Sequence, residues 1–177
     1  MIMMAAVTPW QWGNVPGPRT ANVLRPEVAG KMIKAAKRPL LIVGGALLEW
    51  RFNGRPLIDF ALELGKRGIP IVATSNTLKA FLEKGFDKVL VMSLVDVVNR
   101  LQDPKWSLDG KGPYTHVIFL GISYQFESQV LSTLKNFAPH LITISLDRFY
   151  HPNASFSFNN LSEKEWGEAL NEVLKTI

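Results

Sequence analysis

The sequence contains no cysteine. This absence excludes disulfides, thiolate zinc sites, cysteine-ligated iron–sulfur clusters and a thiol nucleophile. Long hydrophobic runs are also missing, since internal runs such as Leu40–Val43 are far shorter than the ~20 residues needed to cross a bilayer. Met1–Val7 is apolar, but it lacks a basic n-region and is followed by Pro9, so it does not predict a signal peptide. We therefore expect a soluble, cytoplasmic protein with no membrane partner.

Basic residues outnumber acidic residues only slightly. The chain has 20 basic and 15 acidic residues, a formal net charge of +5. The basic residues are scattered, and neither an Arg-rich tract nor a basic stretch with interleaved aromatics is present, as a nucleic-acid-binding surface would require. We expect no nucleic-acid partner, and the charge equally suits docking on an acidic protein.

Hydrophobic periodicity predicts alternating helices and short strands from residue 26 onward. The five predicted strands lie at 40–43, 69–73, 89–91, 117–120 and 141–146, and about six helices separate and follow them. Because the strands are apolar on both faces, they predict a parallel sheet covered by helices on both sides. The sequence thus predicts one doubly wound, Rossmann-like α/β domain over residues 26–177. An extended arm over residues 1–25, rich in proline and glycine and carrying Trp10 and Trp12, precedes it.

Small residues follow four of the five predicted strands. If the strand order is 3-2-1-4-5, the crevice in which such sheets bind ligands lies between the first and fourth strands. Glycines there let a ligand approach the backbone, and amides at helix starts attract phosphate. The same residue types are also what tight turns between strands and helices require, so both interpretations stay open. The candidate cofactor-binding residues are Gly44, Gly45, Thr74, Ser75, Gly121 and Ser123.

The common nucleotide motifs are incomplete. Gly44-Gly45 lacks the G-x-G-x-x-G spacing and an acidic residue closing the second strand, which disfavours ordinary NAD binding. Gly65-Lys66 does not complete a P-loop, because Phe60 stands where the first glycine is required.

The three histidines predict little chemistry. His116 and His140 open strands, at the amino edge of the sheet, where structural roles are expected. His151 follows the fifth strand near Asp147, and one histidine with one aspartate is a poor ligand set for a metal. We therefore predict no metal site and no catalytic residue, and we favour a surface or interface position for His151 over a catalytic one.

Several stretches resemble known families. Lys34–Gly45 and Leu62–Thr74 are similar to the central domain of thiamine-diphosphate enzymes, which has a DHS-like NAD/FAD-binding fold. Residues 20–177 are more specifically similar to the epsilon subunits of archaeal acetyl-CoA decarbonylase/synthase (carbon monoxide dehydrogenase) complexes. The stretches that carry this second resemblance are Asp103–Trp106 with Leu108–Gly110, Gln129–Ser132 with Lys135–Phe137, and Asn153–Ala154 with Phe158 and Asn160–Ser162.

The second resemblance implies a non-catalytic accessory subunit. Such a subunit binds the large nickel–iron–sulfur CO dehydrogenase (alpha) subunit in an α2ε2 component. The resemblance implies one of two roles, which are to stabilise that component or to pass electrons towards FAD. A chain without cysteine holds no iron–sulfur cluster, so FAD is the expected cofactor if one is bound. Two alternatives stay open: an independent nucleotide-dependent enzyme, such as a deacylase of the sirtuin shape, and a stand-alone flavoprotein reductase.

The loop Asp103–Pro113 is the second candidate feature. Its eleven residues exceed the usual connection of about 2–6 residues, and it joins a helix to the fourth strand at the amino edge of the sheet. Trp106 lies among charged residues, a composition typical of an interface anchor. It is predicted either to dock on the large subunit or to fold beneath its own loop.

Overall fold

Strands and helices alternate along most of the described chain. The computed structural model describes residues 9–10 and 19–177. The strands within these residues are β1 (Asn22–Val23), β2 (Pro39–Val43), β3 (Arg51–Phe52), β4 (Arg55–Pro56), β5 (Ile71–Ala73), β6 (Val89–Val91), β7 (His116–Leu120), β8 (Ile142–Ser145) and β9 (Phe156–Ser157). The helices are α1 (Pro26–Ala35), α2 (Leu57–Lys66), α3 (Ser75–Glu83), α4 (Leu94–Leu101), α5 (Tyr124–Phe137) and α6 (Glu163–Thr176).

Seven of these strands form one parallel sheet in the order β1-β9-β8-β7-β2-β5-β6. The five predicted strands correspond to β2, β5, β6, β7 and β8, and they lie in the order 3-2-1-4-5 on which the predicted crevice depended. The prediction of about five strands is corrected to seven by β1 and β9. These two strands have only two residues each, too few to show a hydrophobic period.

The sheet begins earlier than the predicted domain boundary. Asn22–Val23 pairs with Phe156–Ser157, and both Ala21 and Leu24 are buried, so the last residues of the predicted arm belong to the domain. Trp12 lies outside the described residues. Trp10 is exposed, and its carbonyl accepts a hydrogen bond of 2.5 Å from the Asn160 side-chain amide.

Helices cover both faces of the sheet, as predicted. Leu41 and Val43 of β2 face one core, which α1, α2, α3 and α6 close. Leu40 and Ile42 face the opposite core, which α4 and α5 close. This alternation follows from the pleat, which points successive side chains to opposite faces.

Helix boundaries follow local signals in the sequence. The Ser93 hydroxyl accepts a hydrogen bond from the Asp96 amide at the start of α4, and Ser162 with Glu165 forms a capping box at the start of α6. Asn53-Gly54, both with positive φ, forms the two-residue turn between β3 and β4, as this dipeptide favours. In the described residues, no helix is long and apolar enough to cross a membrane.

The helices α1 and α6 cross in close contact. A Cβ at Gly30 would lie 2.8 Å from the Val173 carbonyl oxygen and 1.8 Å from the Thr176 hydroxyl. Glycine is therefore required at this crossing by the approach of the two backbones. The first helix of the domain is thereby packed directly on the last.

Candidate functional site

Two loops meet at the carboxyl edge of the sheet, where the strand order reverses between β2 and β7. Gly44 follows β2, and a Cβ there would lie 2.5 Å from the Gly121 carbonyl oxygen. The Ala46 amide donates to that same oxygen over 3.0 Å. The structure therefore confirms that the first and fourth predicted strands adjoin, and it places the backbones of their loops in direct contact.

The space between these loops is filled by the chain itself. Gly121 has φ +70°, and a Cβ there would lie 2.9 Å from the Leu47 amide nitrogen. Leu47 is fully buried in a short 3-10 turn over Gly45–Leu48. Gly121 is thus required both by its left-handed backbone and by the approach of this turn.

The amides that were expected to attract phosphate already donate hydrogen bonds to a buried carboxylate. The Asp147 carboxylate accepts the Gly121 amide over 2.7 Å and the Ile122 amide over 3.4 Å. Asp147 is 2% exposed. These amides are therefore buried and already hydrogen-bonded to an acidic side chain of the same domain.

The six predicted cofactor residues divide by exposure. Gly44 and Gly121 are buried and pack together, whereas Gly45, Ser75 and Ser123 are exposed. Thr74 is half-buried, directly after the Val43–Ala73 pair that joins β2 to β5. All six lie at the carboxyl ends of strands, and ligand contact by these residues remains a prediction.

A cluster of three buried titratable side chains lies behind these loops. Glu127 of α5, Asp147 and His151 each offer one potential ligand atom, and these atoms lie within 4.8 Å of one another. The His151 Nε2 lies 3.7 Å from the Glu127 Oε1. Burial and the Asp147 carboxyl raise the pKa of Glu127 well above its usual range, and burial also raises the pKa of Asp147.

The structure contradicts the surface position favoured for His151. Its side chain is 1% exposed, it stacks on the Tyr124 ring with centroids 4.3 Å apart, and its amide donates to the Ser157 hydroxyl. Burial lowers the pKa of His151 to about 3, so the imidazole is neutral. The predicted surface position is wrong because the segment after β8 folds inward under the sheet edge instead of crossing the surface.

Glu127 is the site residue that the sequence analysis missed. It occupies the inward stripe of α5 with Tyr124, Leu131 and Leu134, and its side chain is fully buried. A glutamate within an otherwise apolar helical stripe was the available signal.

A separate cavity opens beyond β8 at the same edge. Its volume is about 330 Å³, and it is lined by Glu49, Trp50, Arg51, Arg148, Phe149, Glu163 and Trp166. The rings of Trp50 and Trp166 are perpendicular, with centroids 5.9 Å apart. The aromatic walls suit a planar ligand. Arg148 is paired with Glu163 over 3.0 Å, so Arg51 is the guanidinium of this cavity that we expect to attract negative charge.

At the amino edge, Trp106 packs beneath its own loop. It is half-buried against the second core, with its ring 6.0 Å from that of Tyr114. Arg38 holds this loop through a 2.5 Å bond to Asp109, a bond to the Gly112 carbonyl and a position over the Tyr114 ring. His116 and His140 lie at this edge, as predicted.

Fold and site together define a doubly wound parallel α/β protein in which Leu47 packs between the loops at the strand-order reversal. The family model described as CO dehydrogenase beta subunit/acetyl-CoA synthase epsilon subunit matches residues 3–174, and the chain belongs to this family.

Curated relatives agree with this assignment. The acetyl-CoA decarbonylase/synthase complex subunit epsilon of Methanothrix soehngenii is 42% identical over 96% of this chain and 90% of its own length. That of Methanothermobacter thermautotrophicus is 34% identical over 98% of each chain. Subunit epsilon 1 of Archaeoglobus fulgidus is 40% identical over 90% of this chain and 86% of its own length.

Proposed function

We propose that this chain is a non-catalytic accessory subunit of an acetyl-CoA decarbonylase/synthase complex, bound to the large CO dehydrogenase (alpha) subunit in an α2ε2 component. The names of its relatives support membership in such a complex. The observation that carries the accessory role is the filling of the crevice by Gly44, Leu47 and Gly121. His151 also supports it, because its buried imidazole cannot reach a substrate in solvent.

The docking surface we propose is the outer edge of the sheet at β6. This strand pairs only with β5, so its other side has no neighbouring strand in the part of the chain that the structure describes. Leu90 and Val91 on the strand and Val95 in α4 are each 41–50% exposed. Exposed apolar side chains grouped beside an unpaired strand are typical of a protein interface.

Co-purification of the full chain with the large subunit tests this docking surface. Val91→Lys places a charge in the interface and should reduce the amount of complex at least tenfold, with an unchanged circular dichroism spectrum. The matched control is Phe137→Lys, because Phe137 is 66% exposed at the far end of α5, and it should bind normally. Trp106→Ala serves as the competing test. Loss of binding in that variant, with Val91→Lys still bound, would place the interface at the amino edge instead.

A second proposed role is electron transfer through bound FAD, within the DHS-like fold that the resemblance implies. The cavity between Trp50, Arg51, Arg148 and Trp166 favours it, because an isoalloxazine or adenine ring stacks on aromatic side chains and phosphate pairs with arginine. Quenching of FAD fluorescence by the purified chain measures binding.

Two variants then locate the flavin. Gly45→Trp should abolish quenching if the ligand lies at the switch point, and Arg51→Glu should do so if it lies in the cavity. We expect the Gly45 substitution to leave the fold intact, since no atom lies within 4 Å of a Cβ there, and circular dichroism checks this. Absence of quenching by the unaltered chain would reject the flavin role and leave the docking role standing.

A further inference from the structure

The buried cluster brings two carboxyl groups together in the protein interior. Glu127 and Asp147 are 0% and 2% exposed, and their carboxyl groups interact directly. The buried Ser145 hydroxyl acts on Glu127 and lowers its pKa, but among the described residues no donor completes a hydrogen bond to either Glu127 oxygen. Two such groups need a proton or a cation between them, because bringing two bare carboxylates into an apolar interior is prohibitively costly.

The imidazole of His151 faces the same pair of carboxyl groups. His151 Nε2 lies 3.7 Å from Glu127 Oε1, and His151 Nδ1 has no partner among the described residues. Ligand atoms around a four-coordinate ion with bonds of 2.0–2.2 Å are about 3.4 Å apart. The cluster, whose atoms span up to 4.8 Å, would therefore need to contract by up to about 1.4 Å.

Each ligand is positioned by contacts of its own. The Gly121 and Ile122 amides fix Asp147, and the Tyr124 ring fixes the plane of His151. Glu127 belongs to the first turn of α5, where its amide bonds to the Ser123 carbonyl. One imidazole with two carboxylates is a donor set for zinc or manganese rather than for a purely oxygen-ligated ion.

We propose that Glu127, Asp147 and His151 form a binding site for one divalent transition-metal ion, Zn²⁺ or Mn²⁺. The ion links α5 to the segment that follows β8 and neutralises the paired carboxylates. It is a structural site, because its ligands are enclosed and no substrate can reach it. This inference does not depend on the proposed function.

Metal content and thermal stability test this proposal. The full 177-residue chain, without a histidine tag, is unfolded, freed of metal with a chelator and refolded with Zn²⁺, with Mn²⁺ or with neither. After gel filtration, one of the two ions should be present at about one per chain. Its presence should raise Tm by about 5 °C, as expected for a ligand at roughly a hundredfold excess over Kd.

Three variants separate this site from surface binding. Glu127→Gln keeps the side-chain shape and offers an amide donor to Asp147, and His151→Gln removes the imidazole. Both should fold, and both should lose the ion and the Tm shift. His140→Gln is the matched control, because His140 is exposed and lies outside the cluster, and it should bind as the unaltered chain does.

Other outcomes overturn the proposal. An unaltered chain that refolds without either ion and shows no Tm shift would mean that the two carboxyl groups share a proton. Full metal content in Glu127→Gln, or its loss in His140→Gln, would place the ion at the surface. If Glu127→Gln fails to fold, His151→Gln decides by the same criterion.

Discussion

Two aspartates fix loops at opposite edges of the sheet in opposite electrostatic settings. Asp109 is partly exposed, and its hydrogen bond to the Arg38 guanidinium holds its pKa well below the usual range. Asp147 is buried and bonded to backbone amides, and burial raises its pKa. An aspartate therefore holds each loop, one through a solvent-screened ion pair and the other through hydrogen bonds in the protein interior. We expect the loss of Asp147 to lower the free energy of unfolding far more than the loss of Asp109.

The largest effect is expected from Asp147→Ala. This change leaves the Gly121 and Ile122 amides buried without their acceptor, so the free energy of unfolding should fall by about 3 kcal/mol. Urea denaturation measures it. A loss below about 1 kcal/mol would mean that these amides find other partners, and the contrast between the two edges would disappear.

Gly44→Ala should be the next most costly change. The added Cβ would lie 2.5 Å from the Gly121 carbonyl oxygen and 2.8 Å from the Ile122 Cα, both rigid backbone atoms. Overpacking of this kind costs about 1–3 kcal/mol. The adjacent Gly45→Ala is the control and should change stability by less than about 0.5 kcal/mol, since its Cβ would point into open space. Equal losses in the two variants would contradict the close contact of the loops.

At the amino edge, Trp106→Ala should lower stability by about 2 kcal/mol. This is less than the 3–5 kcal/mol of a fully buried tryptophan, because Trp106 is only half-buried against Tyr114. Thermal denaturation of the isolated chain measures the loss. Unchanged stability with weakened binding to the large subunit would make Trp106 an interface anchor.

Asp109→Asn should lower the free energy of unfolding least, by less than about 1 kcal/mol, as for other partly exposed ion pairs. A pKa that is lowered in the folded state stabilises the protein above the unfolded-state pKa of about 4 and loses that contribution as the pH falls below it. The Tm difference between the two proteins should therefore be present at pH 7 and shrink at pH 3. High salt should also reduce it. A difference that is independent of pH would exclude the ion pair as its cause.

The order of the central strands could be predicted, because strands buried on both faces leave few ways to arrange alternating helices and strands. The five segments in Leu40–Val43, Ile69–Ala73, Val89–Val91, Val117–Leu120 and Leu141–Leu146 all became strands in the predicted order. The edge strands β1 and β9 could not be predicted, because two residues have no period and only their partner defines them as strands.

The candidate site could be predicted only in part. The glycines at the ends of β2 and β7 indicated where the strand order reverses. No local pattern shows that Leu47 of the turn after β2 packs into that space, or that Asp147 enters it from the segment after β8. The convergence of Glu127 with His151 is likewise tertiary, since the two residues lie on different elements and meet only when the chain after β8 folds inward.

The pairing of β1 with β9, and of α1 with α6, also sets when this protein can complete its fold. Asn22 meets Phe156 across more than 130 residues, and Gly30 contacts Thr176. The strand β1 and the helix α1 must therefore remain unpaired until β9 and α6 have been synthesised. In contrast, β2, β5 and β6 with their helices need only neighbouring sequence. Contacts this distant in sequence slow folding. Closure of the β1 edge should accordingly be the last event of folding, and the newly made chain carries the apolar face of α1 uncovered until then.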